Sequence, residues 1–320
     1  MSRPGEALLG ALAREGAAAG RSAPAVLCRF SRPHTIVGTT LSVLALYAIA
    51  VTALAGGDLG AALFDLWWTL LAAWCVNVFI VGINQLEDVE IDRINKPFLP
   101  VAAGDLSPAS ARRIVVAAAV VPLVLAVTQG AAELAAVALG LAVGTAYSVP
   151  PLRLKRFPAL ASLSITFVRS LVVNLGVWLH FSQALGGGWA IHPAVWALIA
   201  VTVPFSFAIA ILKDVPDVEG DRRYAIATFS VRLGARPVLA LGLAALTAAE
   251  LGMASAGAVL LDGASAPLLA GAHLAAAAAL WLWAARVDLA DRASITRFYM
   301  RVWLLFFLEY AMVAAAYLLG

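Results

Sequence analysis

The sequence predicts an all-α polytopic membrane protein: nine transmembrane helices in a single bundle, with the N-terminus cytoplasmic. Three observations carry that prediction. Apolar residues make up 62% of the 320-residue chain and charged residues 13%, about half the charged share of an ordinary soluble domain. The apolar residues gather into runs near the length of about 20 residues that a bilayer requires. Finally, the Lys and Arg residues alternate with those runs on one side only.

In order, the runs cover 34–54, 64–83, 108–127, 131–147, 160–182, 194–212, 236–258, 265–285 and 298–319. The fourth is short, and only Gln129 and Gly130 separate it from the third. Residues 1–28 read as a leader, disordered or interfacial, and 29–320 as one nine-helix domain. The leader is rich in Ala and Arg, carries Glu6 and Glu15, and lacks an apolar core followed by a small-residue cleavage site. That composition favours an untargeted leader from a high-GC bacterium over a plastid transit segment.

Charge placement tests the count. The N-terminal segment and the loops near 84–107, 148–159, 213–235 and 286–297 hold every Lys and Arg except Arg169, once Arg112, Arg113, Arg236 and Arg301 are counted with the loops they adjoin. The alternate loops, near 55–63, 128–131, 183–193 and 259–264, hold none. The positive-inside rule puts the basic side in the cytoplasm and the C-terminus outside; one middle span more or fewer would scramble the pattern. The expected setting is a bacterial inner membrane, with a plastid membrane as the second choice. The net charge of +3 does not suggest a nucleic-acid partner. Cys28 and Cys75 lack CxxC spacing, so neither a disulfide nor a metal site is read from them.

Two basic-side loops are also rich in acids: NQLEDVEIDRINKP from 84 and LKDVPDVEGDRRY from 212. Asn84, Asp88 and Asp92 are spaced i, i+4, i+8, and Asp214, Asp217 and Asp221 are spaced i, i+3, i+7, so each set lines one face of a helix. Pro216 and Gly220 make the second helix irregular. Two such faces at one bundle mouth repel unless cations lie between them. Carboxylate and amide oxygens suit Mg²⁺, which leaves positions open for phosphate oxygens. Arg93, Lys96, Lys213, Arg222, Arg223, Arg153, Lys155 and Arg156 on the same side suit a diphosphate.

NxxxDxxxD with a second DxxDxxxD resembles the UbiA superfamily of intramembrane prenyltransferases, over nearly the whole chain. Asn95-Lys96-Pro97-Phe98-Leu99-Pro100, KDVPDVEGDRRY, FSRPHT at 30–35 and YSVPPLRLK at 147–155 resemble its homogentisate group (phytyl, geranylgeranyl and solanesyl). The resemblance implies a nine-helix bundle in the lipid bilayer and two Mg²⁺ ions holding an isoprenyl diphosphate. It implies Asn84, Asp88 and Asp92 on one ion and Asp214, Asp217 and Asp221 on the other. Lys96, Arg93, Lys155, Arg153 and Lys213 would meet the diphosphate, and Tyr147 would close the cavity or face the allyl cation. The implied reaction is transfer of the isoprenyl group to an aromatic acid. For homogentisate, attack at the acetate-bearing carbon would lead to loss of CO₂ and a tocopherol- or plastoquinone-type precursor. The rivals are a related transferase acting on 4-hydroxybenzoate, a naphthoate or a chlorophyllide, and a cation-coupled transporter. A transporter would set its acids near the bilayer midplane rather than in loops.

The acceptor carboxylate needs a cation. Arg32 is the first candidate, with Arg29 and His34 next. Arg169, with Asn174 five residues on, lies within the fifth run and either reaches substrate or, as the favoured reading, pairs with Glu250 or Glu309. His180 and His192 read as interfacial, His273 as packed and neutral, and the tryptophans as an interfacial belt. Phe205 and Phe207 read as tunnel lining or helix packing.

Overall fold

The computed structural model describes residues 22–56, 58, 60–224 and 226–320. Among them, nine helices are long and apolar enough to cross a membrane: α1 Pro33–Leu54, α2 Leu63–Glu87, α3 Pro108–Gln129, α4 Ala131–Ser148, α5 Pro158–Ala184, α6 Pro193–Leu212, α7 Ala235–Gly257, α8 Ala266–Ala284 and α9 Arg292–Leu318. Each matches an expected run. Pro stands in the first turn of α1, α3, α5, α6, α7 and α8, where its missing N–H costs nothing. Ser107 caps α3, His192 caps α6 and Asp291 caps α9, each through a side-chain acceptor.

Six helices form a closed ring. α1 packs on α2, α2 on α4, α4 on α5, α5 on α6, α6 on α9, and α9 back on α1. α3 lies outside against α2 and α4, while α7 and α8 lie outside against α6 and α9. Small residues set the approach of α4 to α2: a Cβ on Gly144 would lie 2.7 Å from Ile80. The core concentrates where α1, α5, α6 and α9 meet, around the buried Leu46, Phe181, Phe205, Phe306 and Tyr310. Phe205 is fully buried and tilts against Phe306, and Phe207 meets Phe229 edge-on. Both therefore serve packing.

Residues 1–21 of the expected leader lie outside the described residues. A helix, Ala23–Phe30, crosses the boundary drawn at 28. It docks Phe30 against α2, where the ring sits 2.8 Å from the place a Gly82 Cβ would occupy.

Candidate active site

All the loops carrying the two acidic motifs lie at one end of the ring. α2 ends at Glu87, and Asp88 leaves helical geometry (φ −113°, ψ 19°) before the short helix Val89–Asn95. The expected single helix is thus two. Even so, Asp88 N–H donates to the Asn84 carbonyl at 3.0 Å and Asp92 N–H to the Asp88 carbonyl at 2.8 Å. That register keeps Asn84, Asp88 and Asp92 on one face, and all three line one cavity. In the second motif, Asp214 lies in a turn, Asp217 is the N-cap of the short helix Val218–Arg223, and Asp221 is within it. All three line the same cavity.

Side chains clasp the two motifs together. Asn95 Nδ2 donates to Asp221 Oδ1 at 3.2 Å, and Gly220 N–H donates to Asn95 Oδ1 at 3.1 Å. Lys96 forms an ion pair with Asp217. Arg292, at the start of α9, lies 3.7 Å from Asp217 and donates to the Asn95 carbonyl. The loop after α4 closes the other flank: Lys155 Nζ reaches Asp88 Oδ2 at 2.6 Å and Arg153 reaches Oδ1 at 3.0 Å. Lys213 pairs with Asp214 at 2.5 Å and meets the Tyr147 hydroxyl.

Burial dominates the electrostatics. It pushes the Asp92 carboxyl up to about 6, against the pull of Lys96. It pushes Asp221 up to about 7, aided by Asp214 and Asp217. Burial also lowers Lys155, partly offset by Asp88. Lys213 is buried too, yet Asp214 raises it well above its ordinary value. Asp92 Oδ2 is buried and has no hydrogen-bond donor. An all-oxygen donor set with such an orphaned carboxylate atom fits a hard divalent cation.

Beneath this mouth runs a cavity of about 640 Å³ with mostly apolar walls. Along α4 its lining runs from Glu133 to Tyr147, a depth of roughly 20 Å along that helix. Arg32 lines the mouth in a left-handed backbone conformation (φ 54°) with its Nε buried and unpartnered. Arg153, on Asp88, is also left-handed (φ 38°). Residues held this way cost about 1–3 kcal/mol and cluster at functional sites. Arg169 projects into the cavity from a π-helical stretch, Phe167–Val172. Its guanidinium lies 4.7 Å over Trp303 and 5.7 Å over Phe306, with Nη1 unpartnered. His34 lines the cavity and meets Trp303 edge-on at 5.1 Å.

Several expectations need correction. Arg169 does not pair with Glu250 or Glu309; those two adjoin His273 instead, and the Arg169 guanidinium packs over aromatic faces with Nη1 left unpartnered. Asn174 is fully buried, donating to the Ser170 carbonyl and Thr202 and accepting from Tyr310 at 3.1 Å, so it ties α5 to α6 and α9 outside the cavity wall. Arg29 is committed to Asp105 at 2.6 Å and to the Phe98 carbonyl. Arg93 is exposed and pairs with Glu90. His180 is buried near Asp65 and Gln129, at the end of the bundle away from the acidic motifs. Sequence reasoning missed Asn95, Arg292, Glu133 and Trp303 as site residues. Asn95 had a signal, standing one residue before Lys96 within the quoted motif.

A helical bundle whose charged mouth opens on a mostly apolar cavity suits an intramembrane protein that holds a lipid with an anionic head. The chain belongs to the UbiA prenyltransferase family, matched over residues 37–305. It is 44% identical over 292 residues to a homogentisate phytyltransferase of Synechocystis sp., covering 90% of this chain and 94% of that one. It is 38% identical over 298 residues to a chloroplastic homogentisate solanesyltransferase of Arabidopsis thaliana, covering 88% of this chain and 74% of that one. A solved UbiA homolog from Archaeoglobus fulgidus, bound to GPP and Mg²⁺, superposes with a TM-score of 0.57 at 19% identity, covering 91% of this chain and 99% of that one.

Proposed function

We propose that this protein transfers an isoprenyl group from an allylic diphosphate to homogentisate, releasing diphosphate and CO₂, with Mg²⁺ as cofactor and the acidic mouth facing the cytoplasm. The observation that carries this reading is the docking of the two acidic motifs, Asn95 on Asp221 and Lys96 on Asp217, over the apolar cavity. Relatives named for homogentisate support the acceptor. The one-sided distribution of basic residues supports the orientation.

Two Mg²⁺ ions held by Asn84, Asp88 and Asp92 and by Asp214, Asp217 and Asp221 would act as Lewis acids on the diphosphate. The chain's own groups do the rest. Lys96, Lys155, Lys213 and Arg153 now neutralise Asp217, Asp88 and Asp214. When a diphosphate enters, these cations exchange carboxylate for phosphate oxygens and stabilise the leaving group. Tyr147 stands beside Lys213 at the neck. The apolar wall below excludes water from the allylic carbon as its C–O bond breaks. Arg169 and Arg32 carry the unpartnered nitrogens that suit the acceptor carboxylate, and Trp303 sets an aromatic face beside Arg169. The step balances for attack from a ring C–H carbon, not from the acetate-bearing carbon: the new C–C bond expels the ring proton, and the methylene takes up a proton as its bond to CO₂ breaks.

Cavity depth bears on the tail. Four carbon–carbon bonds of about 1.5 Å advance an extended isoprene unit by roughly 5 Å. Four units fill the depth and nine would project from it, so a C20-class diphosphate is the favoured donor. Purified protein given homogentisate, Mg²⁺ and a mixture of C10 to C45 diphosphates should yield chiefly the C20 product by mass spectrometry. A chiefly C45 product would overturn the chain-length assignment. Product formed with 4-hydroxybenzoate and not with homogentisate would overturn the acceptor.

A further inference from the structure

A second group of ligand-type side chains lies well away from the mouth. Glu250 on α7, His273 on α8 and Glu309 on α9 are each fully buried, and one ligand atom from each lies within 4.8 Å of the others. Glu250 lies about 6 Å beyond the midpoint of α7, and Glu309 lies roughly 25 Å along α9 from Arg292. We propose that Glu250, His273 and Glu309 form a second metal site, for a divalent first-row transition ion such as zinc, that pins the outlying helices α7 and α8 to α9.

Four observations point there. His273 Nδ1 lies 2.7 Å from the Leu269 carbonyl, which can only accept, so Nδ1 carries the proton and Nε2 presents its lone pair to the cluster. Such an outward Nδ1–H bond is how proteins orient a metal-binding imidazole. Nε2 is 3.1 Å from Glu309 Oε2, close to the edge of a tetrahedron built on metal bonds of about 2.0–2.1 Å. Both Glu250 oxygens and Glu309 Oε1 are buried without a hydrogen-bond donor; what Glu250 faces is Glu309, another carboxyl. Finally, α7 turns π-helical at Met253–Gly257, one turn beyond Glu250, and π-bulges recur at functional sites.

Charge decides what fits. In an apolar interior the cluster must be close to neutral. Without metal, neutrality takes two protons shared among the carboxyls and Nε2. A divalent ion replaces those two protons with no change in net charge, and it also supplies the partner the orphaned oxygens lack. Two carboxylates with one imidazole suit zinc, manganese or iron rather than magnesium, which separates this site chemically from the all-oxygen mouth.

The test is metal content. Protein expressed in medium supplemented with zinc, manganese and iron is purified in detergent, dialysed against EDTA and analysed by mass spectrometry of the elements. One transition ion per chain, lost in Glu250→Gln and in His273→Gln, is the expected result. Cobalt grown in its place should give visible d–d bands. Less than a tenth of an ion per wild-type chain, with no cobalt bands, would overturn the proposal and leave a proton-sharing triad. If the variants do not fold, the wild-type stoichiometry and the cobalt spectrum still decide. Neither readout depends on prenyl transfer.

Discussion

Gly220→Ala probes the clasp between the two acidic motifs with a single methyl group. A Cβ at Gly220 would sit on the Asn95 amide, 2.6 Å from its Cγ. An exposed amide would swing away, but Asn95 is only 3% exposed and holds both Asp221 and the Gly220 N–H. Moving it forfeits two buried hydrogen bonds worth about 0.5–1.5 kcal/mol each, or keeps them at an overpacking cost of about 1–3 kcal/mol. Taking about 2 kcal/mol, the Mg²⁺ concentration for half-maximal prenyl transfer should rise roughly 30-fold. Asn95→Ala removes the obstacle along with the bonds, so the second substitution should cost little once the first is made. The assay is a four-point cycle of wild type, both single variants and the double variant, each titrated with Mg²⁺. Additive shifts, or a Gly220→Ala variant with unchanged Mg²⁺ dependence, would refute the reasoning that the clasp positions the acids.

Three further outcomes follow from the same geometry. Arg169→Gln and Arg32→Ala should each raise the acceptor KM roughly 10- to 100-fold, the worth of about 1.5–3 kcal/mol for a charged hydrogen bond, with the diphosphate KM little moved; equal shifts in both would contradict the assignment. Asn174→Ala should lower stability by about 1–3 kcal/mol through loss of its buried hydrogen bonds to Thr202 and Tyr310 while leaving both KM values unchanged, read by thermal unfolding in detergent. Burial raises Asp92 to about 6 and Asp221 to about 7 from the ordinary 3.8. Between those values the folded metal-free protein binds more protons than the unfolded chain, so its stability falls as pH rises through that window. Mg²⁺ requires both groups ionised, so its apparent affinity should climb from pH 6 to pH 8; a Tm gain from Mg²⁺ that is flat over that range would contradict this.

The spans were legible because each is a long apolar run between charged loops, and the basic residues fixed their number. The acidic motifs were legible because their spacing survives the break at Asp88, where the i→i−4 bonds continue. Which face of a helix looks inward was not legible. Asn174, five residues beyond Arg169, was read with it as a substrate contact, yet packing turns it towards Ser170 and Tyr310. Arg93 looked equivalent to Arg153, and Arg29 looked free for the acceptor, but Glu90 and Asp105, acids not among the six expected metal ligands, claim them. Arg169 was matched to Glu250 and Glu309 on charge alone. An aromatic face can hold a guanidinium as well, and only the fold brings Trp303 beneath it. Asn95 and Arg292 act across long sequence separations, which spacing cannot reveal.

Release of labelled CO₂ from carboxyl-labelled homogentisate, using purified protein and geranylgeranyl diphosphate, shows whether this chain couples prenylation to decarboxylation. Release should match prenylated product one-to-one in Mg²⁺, be abolished by EDTA and be restored by added Mg²⁺. Release that persists in excess EDTA, or that survives Asp88→Ala combined with Asp217→Ala, would contradict it.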